Sequence, residues 1–355
     1  MRNDPKDSRR ISIGGRVLAP EEPTYFIAEI GANFNGSFDE ACRLADVAKA
    51  SGAECAKYQT FRAETLVSAP AFAAMRASAH QARWSRPVHE VYREAEFPRE
   101  WHRDVAAYCR EIGVEFLSSP YDHAAVDLLE EIGVAAYKVG SGDITYLELV
   151  DYIAQTGKPI LLGTGASDLA DVERCVEVIQ RRGADVLIMQ CTTSYPAPFH
   201  SANLRVLPVF EERFGALTGL SDHTPGHVAV LGAVALGARC VEKHFTASRD
   251  QVGPDHPHSM EPHEFAAMVS DTRDLEAALG SPVKQVTPEE RDTVIVQRRS
   301  LCAARDIAEG EEIRAEDLVA LRPQTAFRPY EAGEVVGRRA RRAIARHETI
   351  AADAV

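Results

Sequence analysis

The chain has 355 residues, of which 45% are hydrophobic and 26% charged, enough for one large folded domain and a small one. Its net charge of −13 argues against broad nucleic-acid binding. No apolar run approaches the roughly 18–20 residues of a membrane span, so neither a nucleic acid nor a membrane is expected as a partner. Seven scattered cysteines, never spaced Cys-x-x-Cys, fit neither a disulfide framework nor a zinc knuckle, and with the polar first ten residues they favour a cytoplasmic location.

From Tyr25 to about Gly280, short apolar runs alternate with longer amphipathic segments. The runs predicted to be strands are Tyr25–Ile30, Cys55–Gln59, Val114–Ser118, Ala136–Val139, Ile160–Leu162, Val186–Gln190, Ala216–Leu220 and Cys240–His244. The helices predicted between them are Phe38–Ser51, Glu100–Ile112, Ala124–Ile132, Leu147–Thr156, Leu169–Arg182 and Gly226–Leu236. Eight such strands favour a (β/α)8 TIM barrel over residues 1–280, with a doubly wound sheet as the alternative.

Two regions depart from this rhythm. The connection Ala63–Pro98 is long, and predicts a lid or an extra helix. The second region follows Gly280: residues 281–298 are predicted to be a linker with a short helix, and residues 299–355 a small β-rich domain. The strands predicted in that domain are Arg299–Ala304, Leu318–Leu321, Val335–Gly337 and Ala340–Ala345. A unit of this size buries little core, so it is expected to dock on another surface.

Polar side chains end nearly every predicted strand of the first domain. They are Glu29, Lys57, Gln59, Ser118, Ser119, Lys138, Ser141, Thr164, Gln190, Thr192, Ser221, His223, Glu242 and His244. In a TIM barrel all eight carboxyl ends of the strands meet at one mouth, where active sites form. This distribution therefore favours the barrel over the open sheet.

His223 and His244 end consecutive strands, which lie about 5 Å apart in a barrel. Two imidazoles so placed predict a divalent metal site, and Asp255 follows eleven residues after the second. The alternative is that each histidine forms only a hydrogen bond at the rim. His256 and His258, in a loop without apolar periodicity, are expected to be solvated surface groups.

Lys57 and Lys138 end two otherwise apolar strands, where a lysine is costly to bury without a partner. The pair predicts a clamp for a phosphate or carboxylate. Ion pairs with Glu29 or Asp143, or a Schiff base, are the alternatives. Glu29 is also a candidate general acid or base, with a structural ion pair to Lys57 as its alternative.

The order and spacing of several motifs resemble the sialic acid synthase family nearly end to end. They are Phe26–Gly31, Lys57–Thr60, Phe116–Pro120, Tyr137–Asp143, Cys191–Pro196, Gly219–Thr224, Glu242–Thr246 and Gly253–His256. The C-terminal module, with Arg299–Leu301 and Asp306–Gly310, resembles the antifreeze-like SAF domain of that family. The resemblance implies a domain-swapped homodimer in which Arg322 reaches the partner's sugar.

The resemblance also implies a metal-dependent condensation of phosphoenolpyruvate with an N-acetylmannosamine-type aldehyde, giving a nonulosonic acid and phosphate by C–O cleavage. It implies that His223 and His244 hold Mn²⁺, or else Mg²⁺ or Co²⁺. Phosphoenolpyruvate would be bound by Gln59, Lys57, Lys138, Ser119, Ser141, Thr193 and Ser221. The amino sugar and the proton transfers would be managed by Glu29, Asp143, Tyr195, Asp255 and Arg322.

Three positions depart from the family pattern. Phe34 replaces a usual histidine, Gly163 replaces a frequent serine, and Asp143 stands where Glu is common. These departures leave the acceptor open, so that legionaminate, pseudaminate and 6-phosphate-using synthases are alternatives. A barrel aldolase and a non-catalytic saccharide-binding protein are alternatives from other classes.

Overall fold

The computed structural model describes residues 9–74 and 86–355. Contacts between Cα atoms divide the chain into two compact units, one ending at Gly280 and the other running from Ser281 to Val355. No helix within the described ranges is long and apolar enough to cross a membrane.

The first unit opens with an antiparallel hairpin, β1 (Ile11–Ile13) and β2 (Arg16–Leu18), which the sequence did not predict. Eight parallel strands follow. They are β3 (Tyr25–Glu29), β4 (Cys55–Thr60), β5 (Glu115–Pro120), β6 (Tyr137–Val139), β7 (Ile160–Gly163), β8 (Val186–Cys191), β9 (Leu217–Asp222) and β10 (Cys240–His244). All eight predicted strands are confirmed.

The strands are ordered β5-β4-β3-β10-β9-β8-β7-β6, with every hydrogen-bonded pair parallel. The two end strands, β5 and β6, lie side by side, so the sheet curls into a nearly closed barrel. An open doubly wound sheet would keep its end strands apart, so the predicted TIM barrel is confirmed and the open sheet is wrong.

Helices follow the strands, and most of them cover the outside of the barrel. They are α1 (Phe38–Ala50), α2 (Ala63–Leu66), α3 (Ala69–Ala74), α4 (Val88–Glu94), α5 (His102–Ile112), α6 (His123–Ile132), α7 (Leu147–Ala154), α8 (Leu169–Arg181), α9 (Val206–Phe214), α10 (Val228–Ala235) and α11 (Pro262–Leu279). Local signals set their ends: Ser37 accepts from the Glu40 amide at the start of α1, and Gly113, at φ +72°, ends α5. The long connection after β4 contains α2, α3 and α4, although its residues 75–85 lie outside the described chain.

Strand alternation divides the apolar residues into two cores. Phe26 and Ala28 face the helices, whereas Tyr25 and Ile27 face the barrel interior. The hairpin adds Ile11, Ile13 and Leu18 to the interior cluster, which reaches no further along β3 than Ile27. The next inward position on β3 is Glu29, so the carboxyl ends of the strands are left for polar groups.

The second unit contains α12 (Arg291–Gln297) and an antiparallel pair, β11 (Ser300–Ala303) and β12 (Leu318–Leu321). The predicted strand Val335–Gly337 is wrong: these residues form a turn after a short 3₁₀ helix, and the turn buries Val335 in the core of the unit. The predicted strand Ala340–Ala345 is reduced to one bridge, between Ile344 and Ile307. In so small a unit, packing of apolar side chains outweighs strand propensity.

Candidate active site

The register of three neighbouring strands places charged groups in one row at the barrel mouth. Glu29 on β3 lies directly opposite Lys57 on β4, and opposite His244 on β10. In the next pair of strands, Gln59 on β4 lies opposite Ser119 on β5. Parallel pairing thus brings together side chains that are up to 215 residues apart in sequence.

A cavity of about 1270 Å³ opens at this mouth. Thirteen of the fourteen predicted site residues line it: Glu29, Lys57, Gln59, Ser119, Lys138, Ser141, Asp143, Thr193, Tyr195, Ser221, His223, His244 and Asp255. The fourteenth, Arg322, belongs to the second unit. Thr164 and Gln190 end their strands without lining the cavity, because their side chains bond the carbonyls of Met189 and Ala202.

Two buried lysines and two buried glutamates alternate at the base of the cavity. The Lys57 ammonium lies 2.6 Å from Glu29 Oε2 and 3.7 Å from Glu242 Oε1. The Lys138 ammonium donates to both Glu242 oxygens, at 2.7 and 2.8 Å. Gln59 donates to the other oxygen of Glu29 at 2.6 Å. The base therefore consists of paired charges along one connected network.

This network settles which ion pairs the lysines form. The alternative pairing of Lys57 with Glu29 is confirmed, but the pairing of Lys138 with Asp143 is wrong, because Glu242 occupies that role. No role was predicted for Glu242. A signal was present in the sequence: Glu242 precedes His244 by two residues on β10, so both side chains point inward.

The pKa values of the two carboxyl groups, Glu29 and Glu242, are shifted in opposite directions. Burial, together with the charge of Glu242, raises the pKa of Glu29 in spite of Lys57. Burial acts in the same direction on Glu242, but Lys138 and Lys57 together lower the pKa of Glu242 to about 2. Glu242 thus stays ionised between the lysines, whereas Glu29 is the carboxyl better suited to exchange a proton.

A second carboxyl group with a raised pKa follows β6. Asp143 ends a 3₁₀ turn, Ser141–Asp143, and burial raises its pKa to about 6. Tyr121 lines the same cavity, and burial followed by the charge of Asp143 raises the pKa of its phenol well above the usual value. A carboxyl with a pKa near neutrality in a cleft is typical of a general base or acid.

The imidazoles are arranged as metal ligands. His223 Nδ1 donates to the Thr192 carbonyl at 2.8 Å, which leaves its Nε2 with a free lone pair. The rings of His223 and His244 lie 5.4 Å apart, centroid to centroid. Buried His244 Nδ1 has no hydrogen-bond partner among the described residues. Burial, followed by the charges of His223 and Lys57, lowers the pKa of His244 well below its usual value, so this imidazole is neutral. Burial acts in the same direction on His223, but the neighbouring Cys191 and the Thr192 carbonyl outweigh it and raise the pKa of His223. Two nitrogen donors at one mouth, of which His244 is neutral, fit a divalent metal ion.

The expectation that His256 and His258 are solvated surface groups is wrong. Residue His256 is fully buried, with its ring nitrogens bonded to Thr246 at 2.7 Å and Asn35 at 3.0 Å. The side chain of His258 is 7% exposed and lines the cavity. A bridge between Phe245 and Met260 folds this loop back onto the barrel, a contact that sequence periodicity does not reveal.

Two of the three departures from the family pattern have structural explanations. Phe34 is fully buried and packs edge-on against Phe97 at 5.2 Å, so it contributes to the outer core and not to the cavity. At Gly163, an added Cβ would lie 2.9 Å from Ser141 Oγ. The space of a side chain at position 163 is therefore taken by the Ser141 hydroxyl, which accepts from the Gly165 amide at 2.9 Å.

Comparison with known proteins identifies the family. A sequence model described as the NeuB family matches residues 44–284. The chain belongs to the NeuB family. A model of the SAF domain matches residues 298–355, so the NeuB-family barrel is followed by a SAF domain. The resemblance described from the motifs is confirmed.

Relatives of this NeuB-family chain make different products. It is 34% identical over 321 residues to the N,N'-diacetyllegionaminic acid synthase of Campylobacter jejuni, covering 89% of this chain and 95% of the relative. It is also 34% identical over 297 residues to the N-acetylneuraminate-9-phosphate synthase of Homo sapiens, covering 83% and 82%. A crystal structure of N-acetylneuraminic acid synthetase from Leptospira borgpetersenii aligns with a TM-score of 0.72 and 27% identity, covering 81% of this chain and 95% of that one. The protein is thus an enzyme of the nonulosonic acid synthase family.

Proposed function

We propose that this enzyme condenses phosphoenolpyruvate with an N-acetylmannosamine-type amino-sugar aldehyde, forming a nonulosonic acid and phosphate. The observation that carries the proposal is the cavity base, where two buried lysines lie beside a pair of imidazoles on neighbouring strands. A carbon–carbon bond forms between the methylene carbon of phosphoenolpyruvate and the aldehyde carbon. Water then adds to C2, and phosphate leaves with cleavage of its C2–O bond.

The lysines account for recognition of phosphoenolpyruvate. Lys57 and Lys138 are 3% and 5% exposed at their side chains, so their charges act in a site of low polarity. Ser221, which donates to Glu242 at 3.1 Å, and Ser119, 3.4 Å from the Lys57 ammonium, add hydroxyl groups on either side. Fixed cations stabilise the carboxylate and phosphate throughout the reaction without reorganising.

The carboxyl groups account for the proton transfers. Asp143, with a pKa of about 6, is largely ionised at neutral pH and accepts a proton from the water that attacks C2. Glu29, whose pKa is raised by burial, supplies a proton to the aldehyde oxygen, which becomes a hydroxyl. One proton of the water passes to Asp143, and the other leaves with the phosphate when the C2 hydroxyl becomes a ketone. The new hydroxyl takes its proton from Glu29, and proton transfer through solvent restores Asp143 and Glu29, so the reaction balances.

The metal dependence is part of the proposal. His223 and His244 would hold the ion, with Mn²⁺ favoured and Mg²⁺ or Co²⁺ as alternatives. A divalent ion in that position polarises the aldehyde of the sugar. Support comes from the lone pair of His223 Nε2, since Nδ1 is the nitrogen that donates to Thr192. It also comes from His244 Nδ1, which has no hydrogen-bond partner in the described part of the chain.

The wall of the cavity favours a second candidate for the acceptor. Apolar side chains from the long connection that follows β4 line one side: Phe61, Leu66, Val67, Phe72, Val91 and Ala95. Among the described residues of the barrel that line the cavity, Lys57 and Lys138 are the only Lys or Arg, and both are engaged at the base. An apolar wall suits a methyl terminus better than a phosphate, so a diacetamido trideoxyhexose is the second candidate.

The proposal includes a domain-swapped homodimer. Arg322 of the SAF domain would then reach the sugar in the partner's barrel. The small core of this domain, built around residues such as Leu301, Ile313 and Ile350, supports the expectation that it docks on a larger surface.

The reaction is tested with metal-stripped protein, phosphoenolpyruvate and one acceptor at a time, following phosphate release and product mass. N-acetylmannosamine, its 6-phosphate and a diacetamido trideoxyhexose are supplied separately, each with and without Mn²⁺. Phosphate release that needs both Mn²⁺ and one acceptor, with a product heavier by the three carbons of pyruvate, is the expected result. Product formation from pyruvate instead of phosphoenolpyruvate would indicate an aldolase, and sugar binding without turnover would indicate a binding protein.

A further inference from the structure

A cluster of three potential metal ligands lies on one side of the cavity mouth. His244 Nδ1 is 3.9 Å from Asp255 Oδ2, and His258 Nε2 is 3.9 Å from Asp255 Oδ1. One ligand atom from each of the three residues lies within 4.8 Å of the others. Ligands of one tetrahedral ion, with bonds near 2.1 Å, lie about 3.4 Å apart. The two pairs at 3.9 Å therefore need to close by about half an ångström to share an ion, and a pair at the 4.8 Å limit by about 1.4 Å.

The loop that carries Asp255 and His258 is fixed to the barrel. The Ala32 amide donates to Asp255 Oδ2 at 3.0 Å, and the Ser259 hydroxyl donates to the Asp255 carbonyl at 2.7 Å. Asn33 in turn donates to Ser259 Oγ at 2.9 Å. A ligand set held by such outer contacts is preorganised, which is typical of metal sites.

Gly31 makes the approach of Asp255 possible. An added Cβ at this position would lie 2.5 Å from Asp255 Oδ2 and 3.6 Å from the His244 ring. The residue also has φ +52°, a conformation that glycine adopts without strain. Absence of a side chain at position 31 thus lets the carboxylate and the imidazole converge.

The three imidazoles of the mouth surround one aromatic ring. The Tyr195 ring centroid lies 4.1 Å from that of His223, 4.9 Å from that of His258 and 5.9 Å from that of His244. The rings of His244 and His258 are 4.9 Å apart, closer than the 5.4 Å between His223 and His244. By geometry, His258 is therefore placed at least as well as His223 to share an ion with His244.

We propose that His258 is a direct metal ligand together with His244 and Asp255, and that His223, which is not part of this cluster, completes the site. The inference rests on the proposed function, since it assigns further ligands to the metal of that reaction. A third imidazole makes the site rich in nitrogen, which favours Co²⁺ and Zn²⁺ over Mg²⁺, an ion that prefers oxygen ligands. We expect the enzyme to bind Mg²⁺ much more weakly than Mn²⁺ or Co²⁺.

The test counts coordinated imidazoles in the full-length protein. Metal-stripped wild type and His258→Gln are titrated with Mn²⁺ by electron paramagnetic resonance, and pulsed measurements count the ligating histidine nitrogens. Wild type should show three imidazoles and His258→Gln two, with a loss of Mn²⁺ affinity of about tenfold or more. His263→Ala removes a histidine whose side chain is 75% exposed, and should leave both readouts unchanged.

Each result bears on a different claim. Two imidazoles in wild type, or unchanged affinity in His258→Gln, overturns the role of His258 and leaves the metal-dependent reaction in place. Failure of wild type to bind Mn²⁺ at all overturns the metal part of the proposed function as well. If His258→Gln did not fold, the imidazole count in wild type would still decide.

Discussion

Glu242 is the residue whose removal should most disturb the cavity base. Its carboxylate receives both bonds from Lys138, lies 3.7 Å from the Lys57 ammonium and accepts from Ser221. In Glu242→Gln the side chain keeps its size but loses its charge. Two buried ammonium groups are then left with Glu29 as their one carboxylate partner among the described residues in the network.

The magnitude follows from the pKa of Glu242. Folding lowers this pKa from 4.5 to about 2. At 1.36 kcal/mol per pH unit, the shift corresponds to roughly 3 kcal/mol of stabilisation. Breaking a buried ion pair by removing one partner costs about 3–5 kcal/mol, which agrees. We therefore expect Glu242→Gln to lose about 3 kcal/mol of unfolding free energy at pH 7.

The sign of the pH dependence is fixed by the direction of the shift. Because the pKa of Glu242 is lower in the folded than in the unfolded chain, its contribution is fully present above about pH 4.5. It is lost as the pH falls from there towards about 2. The difference between wild type and variant should shrink over that range.

The assay is urea denaturation of both proteins, followed by circular dichroism, at pH 7 and at steps below pH 4.5. Glu131→Gln is the matched control, because Glu131 pairs with Arg103 on the surface, where both side chains are 62% exposed. Phosphoenolpyruvate should stabilise Glu242→Gln more than wild type. In the variant, its negative charges would pair with the two lysines that have lost the Glu242 carboxylate. A variant as stable as the control, with phosphoenolpyruvate acting equally on both proteins, would refute the reasoning.

Three further predictions concern catalysis. In a pH–rate profile, kcat/KM of the wild type should decrease below about pH 6, because protonation of Asp143 removes the base. The profile of Asp143→Asn should lack this decrease. Lys138→Met should raise the KM for phosphoenolpyruvate by about 30-fold or more, from the loss of a buried charge, whereas Lys158→Met, which breaks a surface pair, should leave steady-state kinetics unchanged. When Arg322→Ala and His244→Ala proteins are mixed and refolded, about a quarter of wild-type activity should return if the dimer is domain-swapped, because half of the dimers are mixed and each mixed dimer has one intact site. No recovery from a mixture shown to exchange subunits would contradict the swap.

The sequence alone determined the barrel and most of its mouth. Strand runs could be recognised because buried parallel strands are continuous apolar segments, and helices because Gly113 and similar residues cap them. Side chains such as Lys57 and His244 stood out since a charged or metal-binding residue at the end of an apolar run is costly unless it is used.

Only the tertiary structure decided which of these groups are partners. The pairing of Lys138 with Glu242 joins residues 104 apart in sequence, and depends on the closure of the barrel. The position of His258 depends on a loop that folds back through the Phe245–Met260 bridge. The turn at Val335 depends on the core of a unit too small for propensity to prevail. Local patterns record which face of an element is buried, whereas contacts between distant segments are set by the packing of the whole domain.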